Sequence, residues 1–343
     1  MRGVRLGFSE VIQTVERPVE NRGWTTSGLQ QVWHRAMFAN IRNSLPYVRF
    51  KSAKKAIQRA IKLPRYLGSE YRCPICGVGL RAFKPIWRSY TRKVEQFGYV
   101  HRHAELETFN REAFSCPKCD ASDRDRLMAI FLDAILPSLA KGGGIRLTDF
   151  APSDPLSRKI SRNPLIEYRT ADLYRNDVQD RIDLTDISYP DESTDIFICS
   201  HMFEHIPDDR KAMRELYRIL KPGGFGLVLV PLAVGVDETH EDATIVGDAL
   251  RWKYFGMGDH VRHYGKRDFV ERLTAAGFVV DQLGIKYFGR ETFRRAGIAD
   301  NSVLYVVRKH EAAENAAPAA QHADVPLVPT DAADAAQSDQ SQL

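Results

Sequence analysis

Two Cys-x-x-Cys pairs, Cys73-Pro74-Ile75-Cys76 before Gly77 and Cys116-Pro117-Lys118-Cys119 before Asp120, carry the most direct chemical signal in the chain. A two-residue gap lets both thiolates of a turn face one ion while backbone amides donate to the sulfurs, and two such turns complete the closed tetrahedral shell of zinc. A closed four-sulfur site leaves no open coordination position, so its expected role is structural. Five cysteines in 343 residues are too few for a disulfide scaffold, and paired spacing of this kind in a reducing compartment reads as metal. A redox dithiol is the competing reading, but neither knuckle follows the strand that a thioredoxin-like motif requires. The 39 residues between the knuckles include His101 and His103, either of which could replace a thiolate, and Trp87, Tyr90, Phe97, Tyr99 and Phe109. Closure entropy grows only logarithmically with length, so the gap is tolerable, and its aromatic content predicts structure of its own.

A second set of reactive types lies downstream. Asp149, Asp172 and Asp183 are acids near the ends of apolar runs; Ser200, His201, Glu204 and His205 fall in one short segment; and Gly258-Asp259-His260-Val261-Arg262-His263-Tyr264 is a dense polar and aromatic loop, as are Glu238, His240, Glu241 and Asp242 nearby. The elements that must position them are readable. Ile145 to Phe150, Ile166 to Thr170, Asp195 to Ser200 and Phe225 to Val230 predict strands, the third being a continuous apolar run suited to a sheet buried on both faces. Ser153-Asp154-Pro155 predicts a helix start, Asp208 to Leu220 a helix stopped by Lys221-Pro222-Gly223-Gly224, and Lys266 to Ala276 another helix. Strand, helix, strand in repetition means right-handed crossovers and a doubly wound α/β sheet. Ligands sit at the carboxyl ends of such strands, where a carboxylate after the second strand accepts charge-assisted hydrogen bonds from ribose hydroxyls. Cys199, alone on a buried strand, reads as a core thiol.

Residues 145 to 280 resemble the class I methyltransferases that use S-adenosylmethionine. The resemblance is carried in order by Asp183-Leu184-Thr185-Asp186-Ile187-Ser188-Tyr189-Pro190 with the following Asp191 to Asp195, by Cys199-Ser200-His201-Met202-Phe203-Glu204-His205-Ile206, and by Leu220-Lys221-Pro222-Gly223-Gly224. It implies a mostly parallel, seven-stranded Rossmann-like sheet and S-adenosylmethionine as cofactor. By it, Asp172 would hold the ribose, Asp183 and Leu184 the adenine, and Ser200 and His201 the methionine end. Asp149 keeps the acid of the family's glycine-rich first loop, while Ala151, Ser153 and Pro155 stand at the glycine positions; Ala and Ser are small enough for close approach. The Phe150-Ala151-Pro152 loop resembles that of members carrying a Cys-x-x-Cys module upstream. Transfer from a sulfonium is an in-line displacement that depends mainly on alignment, with a base needed only if the acceptor must lose a proton. His201, Glu204 and His205 are candidate bases; His260 and Arg262 are the expected acceptor contacts.

Four regions follow: a basic helical arm over 1–70, the four-cysteine module over 71–121, the methyltransferase domain over 122–310, and an acidic Ala-rich tail over 311–343. Leu29, Val32, Trp33, Ala36, Met37 and Ile41 predict an amphipathic helix between Ser27 and Ile61. Residues 1–66 hold thirteen Lys or Arg against three Glu, so the arm is strongly basic while the whole chain is +5. The tail has scarcely any large apolar residue and is expected to be disordered. No run approaches the ~18 apolar residues of a membrane span, and the N-terminus lacks the apolar core of a signal peptide, so the expected location is the cytoplasm. The near-neutral middle favours a small-molecule or sugar-linked acceptor; the basic arm and metal module make RNA the alternative, and a non-catalytic scaffold the second. Oligomeric state has no signature here.

Overall fold

The computed structural model describes residues 57–139 and 144–309. The expected arm helix, apart from its last residues, and the acidic tail lie outside the described residues. The chain divides into two units, Met1–Arg59 and Ala60–Leu343, and every element named below belongs to the second.

In chain order these are β1 (Leu67–Arg72), β2 (Gly79–Leu80), α1 (Arg88–Gln96), α2 (Asp123–Leu139), β3 (Ile145–Phe150), α3 (Asp154–Ile160), β4 (Ile166–Ala171), β5 (Thr194–Ser200), α4 (Asp209–Ile219), β6 (Leu220–Leu229), β7 (His240–Glu241), α5 (Asp248–Phe255), β8 (Arg262–His263), α6 (Lys266–Ala275), β9 (Val279–Leu283), α7 (Ile285–Phe288), α8 (Arg290–Ala296) and β10 (Leu304–Arg308). The central sheet runs β4-β3-β5-β6-β10-β9. Its first four strands are mutually parallel and β10 is antiparallel to both its neighbours. From β3 the chain goes first to one side, β4, and then to the other, β5, so the strand order reverses between β3 and β5.

Six strands form this sheet among the described residues, not the seven expected. Beyond the edge strand β4 the chain makes only an isolated parallel bridge, Ala171 with Asp180, instead of a further strand. After β6, His240–Glu241 forms the two-residue antiparallel pair β7–β8. The Lys221-Pro222-Gly223-Gly224 segment also differs from expectation. The helix α4 ends at Ile219 and Leu220 opens β6 at once, with a register irregularity against β5 and Gly223 at φ +74°, a conformation that glycine reaches without steric cost. The α4 helix itself follows its period: Asp208 caps it by accepting from Lys211 N at 2.9 Å, and Ala212, Met213, Leu216 and Ile219 are buried.

One guanidinium joins the cysteine module to this sheet domain at several carbonyls at once. Arg126 on α2 is fully buried, donating from Nε to Ala296 O at 2.7 Å, from Nη1 to Phe114 O and Ala121 O, and from Nη2 to Ala113 O and Gly297 O. It also lies 4.0 Å over the Phe83 ring. A planar fork of five donors is the side chain able to satisfy so many carbonyls from one point. Among the described residues no helix is long and apolar enough to cross a membrane.

Candidate functional site

The two cysteine knuckles adopt one geometry. Gly77 N donates to Cys73 O at 2.8 Å and Asp120 N to Cys116 O at 2.9 Å, and both Gly77 and Asp120 have left-handed backbone. Cys73 Sγ lies 3.7 Å from Cys119 Sγ and Cys76 Sγ 3.8 Å from Cys116 Sγ. Four sulfurs bound to one zinc at ~2.3 Å stand about 3.8 Å apart, so this donor set fits zinc; a disulfide would need about 2.05 Å. His101 packs 4.5 Å from His263 rather than with the thiols.

The cofactor residues expected from the sequence gather at the carboxyl ends of β3, β4 and β5. Asp149 is sealed beneath the crest, accepting from Tyr168 OH at 2.7 Å; burial pushes its carboxyl up to about 7. Ala151 forms the crest at φ +54°, donating to Ala171 O at 2.8 Å. The Ser153 hydroxyl is turned to Asp125 Oδ1 at 2.6 Å, away from a capping role on α3. Asp172 Oδ1 accepts from Tyr174 N at 2.7 Å and Arg175 N at 2.9 Å, which orients the carboxylate. Arg175 also donates to Pro152 O, tying the loop after β4 to the crest. Asp183 is brought beside Asp172 by the Ile182 N to Asp172 O bond and accepts from Thr185 N and Oγ1, both at 2.8 Å. The Leu184 side chain is a correction: it is 3% exposed in the core, so only its backbone is available to an adenine. Ser200 ends β5, half-buried, and His201 follows at φ +57°.

From His201 a cavity of about 380 Å³ extends outward. The segment between the knuckles supplies Trp87, Tyr90, Lys93, Tyr99, Phe109 and Phe114; the sheet domain supplies His201, Glu204, His205, Pro231, Trp252, Phe255, Met257 and His260; α2 supplies Arg124. The aromatic segment thus has the structure of its own that its composition predicts, namely α1 and a roof stacked on α5, with Phe97 and Trp252 5.9 Å apart. Backbone bonds hold it there: Val100 N to Lys253 O and Glu107 N to Leu232 O, each 2.9 Å.

Around His201 the polar groups crowd. Its Nδ1 stands 3.1 Å from Glu204 Oε1, and burial lowers its pKa to about 4, which keeps the imidazole neutral near pH 7. Burial would raise the Glu204 carboxyl, yet the surrounding His201, His260 and His205 hold it below the usual carboxylate range. His260 is buried with Nδ1 3.0 Å from Phe255 O, and His205 is exposed with Nδ1 3.5 Å from Asp259 Oδ2.

Arg262 is the second correction. It donates to Glu241, Phe203 O, Ile206 O and Pro207 O from a buried position and is not among the cavity residues. Its donors are consumed in bracing the segment that carries Glu204 and His205, which turns these donors away from the cavity. Glu241 is likewise held by Arg262 and Arg272. Sequence reasoning missed Lys93, Arg124 and Trp252 as wall residues; no local pattern marks them, because three separate segments must meet to build the wall.

The family model described as methyltransferase domain matches residues 97–283. A curated relative, 27-O-demethylrifamycin SV methyltransferase of Amycolatopsis mediterranei (strain S699), is 32% identical over 86 residues, covering 22% of this chain and 32% of that protein. The chain thus matches about a third of the length of that relative. Among solved structures, a putative methyltransferase from Bacillus halodurans C-125 is 19% identical with a TM-score of 0.33, covering 52% of this chain and 98% of that one. The 1,6-didemethyltoxoflavin-N1-methyltransferase of Burkholderia thailandensis is 15% identical with a TM-score of 0.38, covering 55% and 79%. With more than half of its length matched by the family model, the chain belongs to the methyltransferase-domain family, the class I methyltransferases that use S-adenosylmethionine.

Proposed function

We propose that the protein transfers a methyl group from S-adenosylmethionine to a small molecule held in the aromatic cavity, and that Cys73, Cys76, Cys116 and Cys119 hold a structural zinc ion. The observation that carries the first part is the place of His201: it follows directly on the carboxyl end of β5 and also lines the cavity wall. An in-line displacement requires the acceptor atom, methyl carbon and sulfur to be collinear, and a cavity opening beside the donor's methionine end supplies that approach.

Asp172 and Asp183 would hold the ribose and adenine, Ala151 lets the chain come close, and Asp149 supports the crest from below. His201 is the group placed to take a proton from the acceptor. The cavity volume of about 380 Å³ lies within the range of small-ligand sites, roughly 300–1,000 Å³, and its walls favour a flat, largely apolar acceptor with cationic Lys93 and Arg124 at its margin. The curated relative is named for methylating 27-O-demethylrifamycin SV, which supports a small-molecule acceptor through the shared segment alone. The RNA alternative draws on the basic arm, which lies outside the described residues.

Calorimetric titration with S-adenosylhomocysteine tests the reading. Binding to the wild type that weakens at least tenfold in Asp172→Ala is expected; no binding to a folded wild type would overturn it.

A further inference from the structure

The loop after β5 gathers side chains that methyl transfer by alignment alone does not require. Glu204 is 1% exposed; its Oε1 stands 3.1 Å from His201 Nδ1, while its buried Oε2 accepts no hydrogen bond. A buried carboxylate is costly unless a cation or donor faces it. Ligand atoms of Glu204, His205 and His260 lie within 4.8 Å of one another, and all three residues line the cavity. Three donors at ~2.1 Å from one ion stand roughly 3–4 Å apart, so a small inward shift of the exposed His205 side chain closes the set.

Each imidazole also has an oxygen partner at Nδ1. His260 turns Nδ1 to the Phe255 carbonyl and His205 turns Nδ1 to the Asp259 carboxylate. Metal-ligating histidines characteristically give one ring N–H to a carbonyl or carboxylate, which fixes the tautomer and leaves the other nitrogen's lone pair for the ion.

We propose that Glu204, His205 and His260 bind a divalent first-row transition-metal ion of the zinc type in the cavity wall, separate from the four-thiolate site, and that its open positions take a hydroxyl oxygen of the acceptor. Two imidazoles and one carboxylate form an open site of the catalytic kind, unlike the closed sulfur shell. The substrate class rests on the reading of the cavity as the acceptor site. A metal-bound hydroxyl is more acidic: its proton passes by way of the neutral His201 imidazole to water, its oxygen lone pair forms the new C–O bond to the methyl carbon, and the pair of the broken S–C bond stays on sulfur, giving S-adenosylhomocysteine.

The test titrates tag-free full-length protein, zinc-loaded on its thiolates, with Co²⁺, and measures S-adenosylhomocysteine binding on the same samples. Expected is one further equivalent with weak visible bands and no sulfur-to-cobalt charge transfer. Its affinity should fall at least roughly tenfold in Glu204→Gln and His205→Ala, and about tenfold in Asp259→Asn, with His205→Ala testing a surface position where folding is not at stake. No further equivalent in the wild type, or one unaltered in both Glu204→Gln and His205→Ala, overturns the site. S-adenosylhomocysteine binding without the extra equivalent sinks the metal and leaves the methyltransferase reading standing; the extra equivalent without S-adenosylhomocysteine binding keeps the metal site and removes its acceptor role.

Discussion

Ala151 and His201 leave neighbouring parallel strands in the same left-handed backbone conformation, at φ +54° and +57°, each directly after a strand whose register sets Phe150 opposite Cys199. Two non-glycine residues in this region at adjacent strand ends are a local cost of roughly 1–2 kcal/mol each, concentrated where the strand order reverses and a ligand belongs.

That cost makes a substitution informative. Ala151→Gly should be neutral to stabilising by up to ~1 kcal/mol, since relief of the left-handed strain is partly offset by glycine's larger unfolded-state entropy. Ala151→Val, β-branched at positive φ, should lose about 2 kcal/mol or more and weaken S-adenosylhomocysteine binding. Thermal unfolding and calorimetry read both; a destabilised Ala151→Gly would contradict the assignment of strain.

Asp149 makes stability depend on pH in a defined direction. Its folded pKa is raised to about 7 by burial, against an unfolded value near ~3.9. The contribution is therefore fully present below about pH 4 and is lost as pH rises through about 7, with a slope of at most ~1.4 kcal/mol per pH unit. Asp149→Asn keeps an acceptor for Tyr168 and cannot ionise. Urea midpoints at pH 5 and pH 7.5 should fall less between the two conditions in the variant than in the wild type; equal falls would count against this role.

The four-thiolate site should behave as a folding element. Zinc binding in small modules is worth on the order of 10 kcal/mol, so Cys116→Ser should lose the thiolate-bound equivalent by elemental analysis and lower the melting temperature substantially. A variant that keeps both its metal content and its melting temperature would show that the cluster is not a zinc shell.

Arg126→Met removes the donors to five carbonyls. Cys116 N still reaches Ala121 O, Asp123 N still reaches Phe114 O, and Asn110 Nδ2 still reaches Gly297 O, which leaves Ala113 O and Ala296 O stripped. At ~1–3 kcal/mol per unsatisfied buried group, with the buried Asp123 beside it, the loss should be about 3 kcal/mol or more by denaturant unfolding. A loss below ~1 kcal/mol would mean that the module docks by other contacts.

Much of this was legible along the chain because the signals are local. The β5 strand is built on the uninterrupted apolar run Ile196-Phe197-Ile198-Cys199, the α4 helix repeats its buried face every three to four residues, and each cysteine knuckle completes its turn within five residues. Arg262 misled for the opposite reason. A charged residue in a polar loop reads as available, whereas the carbonyls of Phe203, Ile206 and Pro207 that consume it come from a loop more than fifty residues earlier. Leu184 shows the same limit, since the side of a loop that faces the core is set by what packs on it.

Order along the chain alone determined the parallel sheet, the acids and small residues at its strand ends, and the four thiolates, since strand burial, capping and turn chemistry act over a few residues. Only the tertiary structure decided that the aromatic segment between the knuckles roofs the strand ends, that Phe97 meets Trp252, and that Glu204, His205 and His260 converge with one carboxylate oxygen, Glu204 Oε2, left without a hydrogen bond. These depend on contacts between distant segments, whose partners are chosen by packing and by the hydrogen bonds buried groups must find, and such choices leave no period or spacing to read.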